Sequence, residues 1–269
     1  MTEHAAFAKL VRTLAPWGDR LVYIGGWAHR LYRLHPTAMV PAYRPLTTLD
    51  ADVAFAEREN LEGSIKDRLL EAGFKEQLTG NHNPPVSQYT LGDDDAGGFY
   101  AEFLTPLTGS GRTRQGEPLA TVKNAGVTAQ RLRYLDLLLE SPWRVTLDED
   151  WGAGMPMDLR IPNPVSFIVQ KLLVHDQRLP GKKAQDLLYI HDTLELFAAE
   201  LDGLGTLWRD VLPARLHKNQ VRSPVQIKNQ LFGQLDDRIR DAAAIPQDRQ
   251  LDPERMRAMC FAALEELLG

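Results

Sequence analysis

Residues 47–55 read TTLDADVAF. Asp50 and Asp52 stand two positions apart in a run otherwise suited to a strand, and Val53 and Phe55 favour a sheet. Side chains on a strand alternate between its two faces. The two carboxylates therefore share one face, and Val53 and Phe55 anchor the other in a core. Aspartate is depleted in strands, so two of them here need a reason. A hard cation supplies one, because Mg²⁺ takes oxygen ligands from one or two carboxylates together with substrate phosphates. A solvated face on an edge strand is the plainer alternative.

Upstream lies LVYIGGWAHRLYRLHP, residues 21–36. Leu21 to Ile24 read as a short buried strand. Trp27, Leu31 and Leu34 then recur at helical spacing, and Pro36 lies just beyond. The junction is strand, Gly25-Gly26, helix. A helix start offers free backbone N–H groups and partial positive charge, and glycines leave a phosphate's approach open. A tight turn with no ligand explains the same dipeptide. Trp27 places a bulky ring directly after the glycines, where that phosphate would approach.

Downstream, Glu102 sits in GFYAEFLTP among aromatic and apolar residues on a further predicted strand. A lone carboxylate there is costly unless partnered or exposed. If its strand lies beside the Asp strand, three carboxylates converge. Two such charges about 4 Å apart repel by roughly 4 kcal/mol at an effective dielectric of 20. Asp93 to Asp95 read as hairpin-turn residues.

The chain has 269 residues, 43% apolar and 25% charged, an ordinary globular composition able to build a core. A net charge of −5 argues against a generally basic nucleic-acid binder. Cys260 is the sole cysteine, which excludes an internal disulfide and a cysteine-based zinc site. No apolar run approaches the roughly 20 residues of a membrane span, and the amphipathic start lacks a signal peptide's core, so a cytoplasmic location is expected.

The remaining pattern predicts a first helix through Phe7, Leu10, Val11 and Leu14, and a helix over LEGSIKDRLLEAGF with Leu61, Ile65, Leu69 and Leu70 on one side, closed by Gly73. VSQYTL and GFYAEFL read as antiparallel strands, residues 105–126 as a long loop, TAQRLRYLDLLLES as a helix, and WRVTL with PMDLRI as a strand pair. Beyond the Pro-Asn-Pro of residues 162–164 the chain is mostly helical in pattern. The expectation is an α+β domain with a mixed sheet over residues 1–161 and a helical domain over residues 162–269, with an active site in the cleft between them. GSGRTRQG lacks the ending of a P-loop, and Ser110 is not set in a nucleophile elbow. Arg112 and Arg114 read as an exposed basic loop. The histidines His29, His35, His82, His175 and His191 lack zinc spacing and read as surface or satisfied residues.

IGGWA, then TTLDADVAF, then YAEFLTP resemble, in that order, the nucleotidyltransferase superfamily, the fold of DNA polymerase beta. The chain is most similar to its stand-alone bacterial members, the abortive-infection, toxin-like group. The resemblance covers about residues 20–200 and includes Lys171 on a helix and a following KKAQD segment with Lys182, Lys183 and Asp186. It implies that Gly25 and Gly26 meet the triphosphate, and that Asp50, Asp52 and Glu102 hold two Mg²⁺ ions, with Mn²⁺ as an alternative. It implies that Lys171, Lys183 and Asp186 serve the nucleotide, against a plainer reading as surface lysine and solvated helix face. The implied activity is transfer of a nucleoside monophosphate from an NTP, ATP included, to an acceptor that is tRNA, a protein or a small molecule. An antitoxin-like protein partner belongs to the same resemblance. The competing class is a catalytically silent module that senses nucleotide or contacts a partner.

Overall fold

The structure, a computed structural model, describes residues 2–92, 98–112, 115–116 and 118–269. Asp93, Asp94, Asp95 and Arg114 lie outside the described residues. The chain packs as two compact units, Met1–Leu34 with Thr47–Pro162, and His35–Leu46 with Asn163–Gly269.

The first unit is built on one mixed sheet. After helix α1 (Glu3–Leu14) come strand β1 (Val22–Ile24), helix α2 (Gly25–Leu31) and strand β2 (Asp50–Ala54). Helix α3 (Ile65–Glu71) leads to strands β3 (Lys75–Thr79), β4 (Val86–Leu91) and β5 (Phe99–Pro106). Strands β6 (Thr121–Asn124) and β7 (Val127–Leu132), the short helix α4 (Leu135–Leu139), and strands β8 (Trp143–Leu147) and β9 (Met157–Ile161) complete it. The sheet order is β1-β2-β5-β4-β3, with β7 on the far end of β5 and β6 on β7. Strands β2 and β5 run parallel, and their neighbours β1 and β4 run antiparallel to them. Strands β8 and β9 form a separate antiparallel pair, as their sequences predict.

One face of the sheet is core. Ala51, Val53, Ala101, Phe103 and Tyr89 are fully buried, and the Phe103 and Tyr89 rings meet edge to face at 5.9 Å. Phe7 of α1 stacks on Trp27 at 4.1 Å between centroids, so the indole sits in the core and not over the glycines. The obstruction suggested by Trp27 in the sequence does not arise.

Three local readings change. Leu70 is 41% exposed, while Ile65 and Leu69 are buried, so α3 begins only after its Ser64 cap and buries a narrower stripe. Gly73, at φ +86°, does close that helix. The stretch from 128 that looks helical is split: Leu135–Leu139 form helix α4, but residues 128–132 belong to strand β7. Its residues pair with β5 and β6, and the turn at Ala125 (φ 47°) and Gly126 (φ 81°) joins β6 to it. Positive φ at both central residues is the geometry that tight hairpins need, and it places a strand within the predicted 105–126 loop.

The second unit is helical: α5 (Pro164–Val174), α6 (Pro180–Leu196), α7 (Leu201–Asp210), α8 (Ser223–Phe232), α9 (Asp237–Ala243) and α10 (Pro253–Leu268). Asn163 caps α5 by accepting from Ser166 N–H at 2.8 Å, and Asp252 caps α10 by accepting from Arg255 N–H at 2.7 Å. Phe167, Phe197, Phe232 and Leu264 are buried in its core. Segment 35–46 is tied to these helices. Met39 N–H donates to Leu196 O at 2.8 Å, Arg44 N–H donates to Asp248 Oδ2 at 2.7 Å, and the Arg249 guanidinium lies 3.3 Å from the Tyr43 ring centre.

Candidate active site

Strand β1 ends at Ile24, paired with Asp52 across the ladder, and the backbone then turns at Gly25 with φ +65°. That conformation is costly for residues with a Cβ. Space forbids one as well, since a Cβ on Gly25 would stand 2.3 Å from Asp52 Oδ2. The first glycine is thus required by the carboxylate it faces. It answers why the chain spends a glycine at this junction.

The β2–β5 register sets Asp50 opposite Tyr100 and Asp52 opposite Glu102. The β4–β5 register sets Thr90 opposite Tyr100 and Gln88 opposite Glu102, and on β3 Gln77 faces Gln88. Paired residues point to the same side. The half-buried face of the sheet therefore carries Asp52, Glu102, Gln88 and Gln77 in one cross-strand row and Asp50, Tyr100 and Thr90 in the next. Neighbouring strands lie about 4.8 Å apart, so Asp52 and Glu102 leave the sheet from adjacent backbone positions, with Asp52 Oδ2 turned toward Gly25.

This face is acidic and partly buried. Burial first, and then the Asp50 charge, push the Glu102 carboxyl above the ordinary carboxylate range. The Tyr100 phenol is pushed up to about 12 by burial and by Asp50, Glu102 and Asp52, so it keeps its proton at neutral pH. Neutral donors help: Thr48 Oγ1 donates to Asp50 Oδ1, and Gln88 Nε2 donates to Glu102 Oε1 at 3.2 Å. Among the described residues neither Asp50 nor Glu102 forms an ion pair with a lysine or arginine. An all-oxygen set of this kind suits a hard divalent ion.

In the helical unit, Lys171 and Asp186 are buried and bonded to each other at 2.6 Å, Nζ to Oδ1. The ammonium lies 4.7 Å from the Phe167 ring centre and 4.6 Å from that of Tyr189. Arg178 Nε donates to the second oxygen, Asp186 Oδ2, at 3.0 Å. Neither a surface lysine nor a solvated helix face describes this pair. Lys182 is exposed and Lys183 half-buried. His175 is buried beside them, and neither ring nitrogen has a hydrogen-bond partner among the described residues. It is neither a surface histidine nor a satisfied one.

A second group of metal-binding types, His191, Asp192 and Glu195, also draws together in the helical unit. Arg249 donates to Asp192 and approaches Glu195 at 3.8 Å, and Tyr43 Oη donates to Glu195 at 2.5 Å. A guanidinium already neutralises these acids, and His191 Nδ1 lies 2.8 Å from Asp192 Oδ1. The set's ligand atoms all lie within 4.8 Å of one another, a spacing that Asp50, Asp52 and Glu102 do not reach.

Residues 2–213 match the nucleotidyltransferase family. The chain belongs to that family. No curated protein and no solved structure matches the chain. This nucleotidyltransferase is thus a transferase, and the family implies an NTP substrate. Enzymes of the family usually use divalent metals, which agrees with the acid-rich face. No helix is long and apolar enough to cross a membrane among the described residues. Reading the sequence picked out Asp50, Asp52 and Glu102, which β2 and β5 bring onto one face with Gly25. It missed Tyr100, Gln88 and Arg178. The first two were available from period-2 alternation with Glu102 and along VSQYTL; Arg178 had no local signal, since only folding brings it to Asp186.

Proposed function

We propose that this chain transfers a nucleoside monophosphate from an NTP to an acceptor hydroxyl, with Asp50, Asp52 and Glu102 as its metal-binding carboxylates. One observation carries the reading: the β2–β5 register that sets Asp52 beside Glu102, against the backbone of Gly25. Two Mg²⁺ ions held there would activate the acceptor oxygen and stabilise the leaving pyrophosphate. The chain's own part is positional. Asp50 and Asp52 fix the donor end of the face, and Glu102, held by Gln88, fixes the other. Tyr100 keeps a protonated phenol beside Asp50. Gly25 and Gly26 keep side chains away from the backbone that the triphosphate would approach. Within the helical unit, Lys171 and Asp186 hold the segment that carries Lys183 through their buried bond.

The competing reading, a silent nucleotide-sensing module, drew on the Trp27 ring, and that ring lies in the core. Thermal unfolding with each NTP, with and without Mg²⁺, tests the proposal. A ligand at 100 times its Kd stabilises by about 2.7 kcal/mol. A Mg²⁺-dependent rise for at least one NTP in the wild type, absent in Asp50→Asn, is expected. Unchanged transfer by Asp50→Asn would sink the metal assignment.

A further inference from the structure

The carboxylate face does not end at Glu102. Across β4 and β3 it opens into a hollow of about 270 Å³ lined, among the described residues, by Leu49, Gln77, Gln88, Thr90, Tyr100 and the glycines Gly92 and Gly98. Three observations describe what it would take. First, no described lining residue is charged, although the adjoining face is acidic. Second, its polar groups are largely spare, with Thr90 Oγ1 donating to Lys75 O at 3.4 Å and left to accept. The Gln77 amide and the Tyr100 hydroxyl have no hydrogen-bond partner among the described residues, and Gln88 uses one N–H on Glu102 while its remaining amide donor and acceptor capacity is open. Third, the hollow is smaller than the roughly 300–1,000 Å³ of pockets for drug-sized ligands. Its place in the sheet matters too: the glycines lie on the β1 side of the carboxylates, and the hollow on the opposite, β4 side.

We propose that this hollow is the acceptor subsite, and that the acceptor is a neutral, polyhydroxylated small molecule of about one ring, a sugar or cyclic polyol. The inference rests on the nucleotidyl-transfer reading above. Hydroxyls of such a ring exchange hydrogen bonds with Gln77, Gln88 and Thr90, and its C–H edge covers Leu49. One hydroxyl then reaches past Glu102. Its oxygen bonds to the α-phosphorus of the NTP as the α–β phosphoanhydride P–O bond breaks, pyrophosphate leaves, and the hydroxyl proton passes to solvent. An RNA end is disfavoured because phosphodiesters draw affinity from lysine and arginine, and the described lining has neither.

The test uses the full chain with Mg²⁺ and each α-³²P-labelled NTP. The acceptor probes are myo-inositol, methyl glucoside, N-acetylglucosamine and total tRNA. Binding of α,β-methylene NTP analogues is measured in parallel. Label on at least one neutral ring is expected, with Gln77→Ala raising the KM for it about fivefold to tenfold and leaving analogue affinity within about twofold. Thr90→Val, on a different strand, should raise the same KM and guards against a folding defect in the first variant. Label on tRNA alone, or on none of the rings while Mg²⁺–analogue binding persists, overturns the proposal. So does a loss of analogue affinity in Gln77→Ala, which would make the hollow a donor-base pocket. Absence of Mg²⁺-dependent analogue binding to the wild type instead removes the nucleotidyl-transfer reading itself.

Discussion

Gly25 and Asp52 are packed so closely that a single methyl group between them would stand 2.3 Å from the carboxylate oxygen. The contact ties the strand-to-helix turn to the acid on the next strand. Gly25→Ala therefore acts in two ways. The left-handed backbone costs about 1–2 kcal/mol with a Cβ present. The Asp52 carboxylate, at the end of a short rotatable side chain, moves aside. A modest fall in the urea midpoint is expected, together with loss of Mg²⁺–NTP binding. Near-normal binding in a folded Gly25→Ala protein would show that the position of Asp52 is not critical.

Two acid groups compete for the role of metal centre, and charge separates them. Arg249 neutralises Asp192, while nothing cationic among the described residues pairs with Asp50 or Glu102. In a titration followed by water-proton relaxation, Asp52→Asn is expected to lose Mn²⁺ binding. Glu195→Gln is expected to keep it. The reverse pattern would move the centre to the helical unit.

Asp186 holds Lys171 in the interior of the helical unit. Removing one partner of a buried pair costs about 3–5 kcal/mol, because the other charge stays desolvated. Asp186→Ala should lower unfolding stability by that order. Arg178 is 42% exposed, so Arg178→Gln should change stability by about 1 kcal/mol or less. Chemical denaturation of the two variants checks the difference.

His175 is buried, and burial first, then the charges of Lys183 and Arg238, hold its pKa below the ordinary 6.5, against Asp176 and Asp186. Between the folded value and 6.5, the unfolded chain carries a proton that the folded chain does not. Stability is therefore complete above about pH 6.5 and declines as pH falls toward the folded pKa. His4 and His35 shift in the same direction and add to the slope. His175→Gln should flatten part of the decline, measured as urea midpoints between pH 7.5 and 5.5. An unaltered slope would show that His175 titrates normally.

Much of the candidate site was legible because its chemistry is local. Asp50 and Asp52 share a face by strand alternation alone, and the strand–Gly-Gly–helix junction reads directly from residues 21–36. Strand β7 was misread because helix α4, with its buried Leu135 and Leu138, starts three residues after Leu132 and carries helical spacing back over the strand's end, while the Ala125-Gly126 turn that commits residues 127–132 to a hairpin is short and has alanine at its first central position. Strand β3, KEQLT, passed unnoticed because an edge strand with charged residues has little apolar alternation to show.

The sequence by itself determined which residues are candidates for the chemistry: two acids at strand spacing, a third on a later strand, and glycines where the backbone must turn. These follow from covalent geometry and local preference. Tertiary structure decided what surrounds them. Only strand pairing sets Asp52 beside Glu102 and extends that row to Gln88 and Gln77, because register depends on hydrogen bonds between segments some fifty residues apart in the chain. Only core packing turns Trp27 away from the glycines and buries Lys171 against Asp186. Burial is a property of all the neighbours at once, and no stretch of sequence contains them.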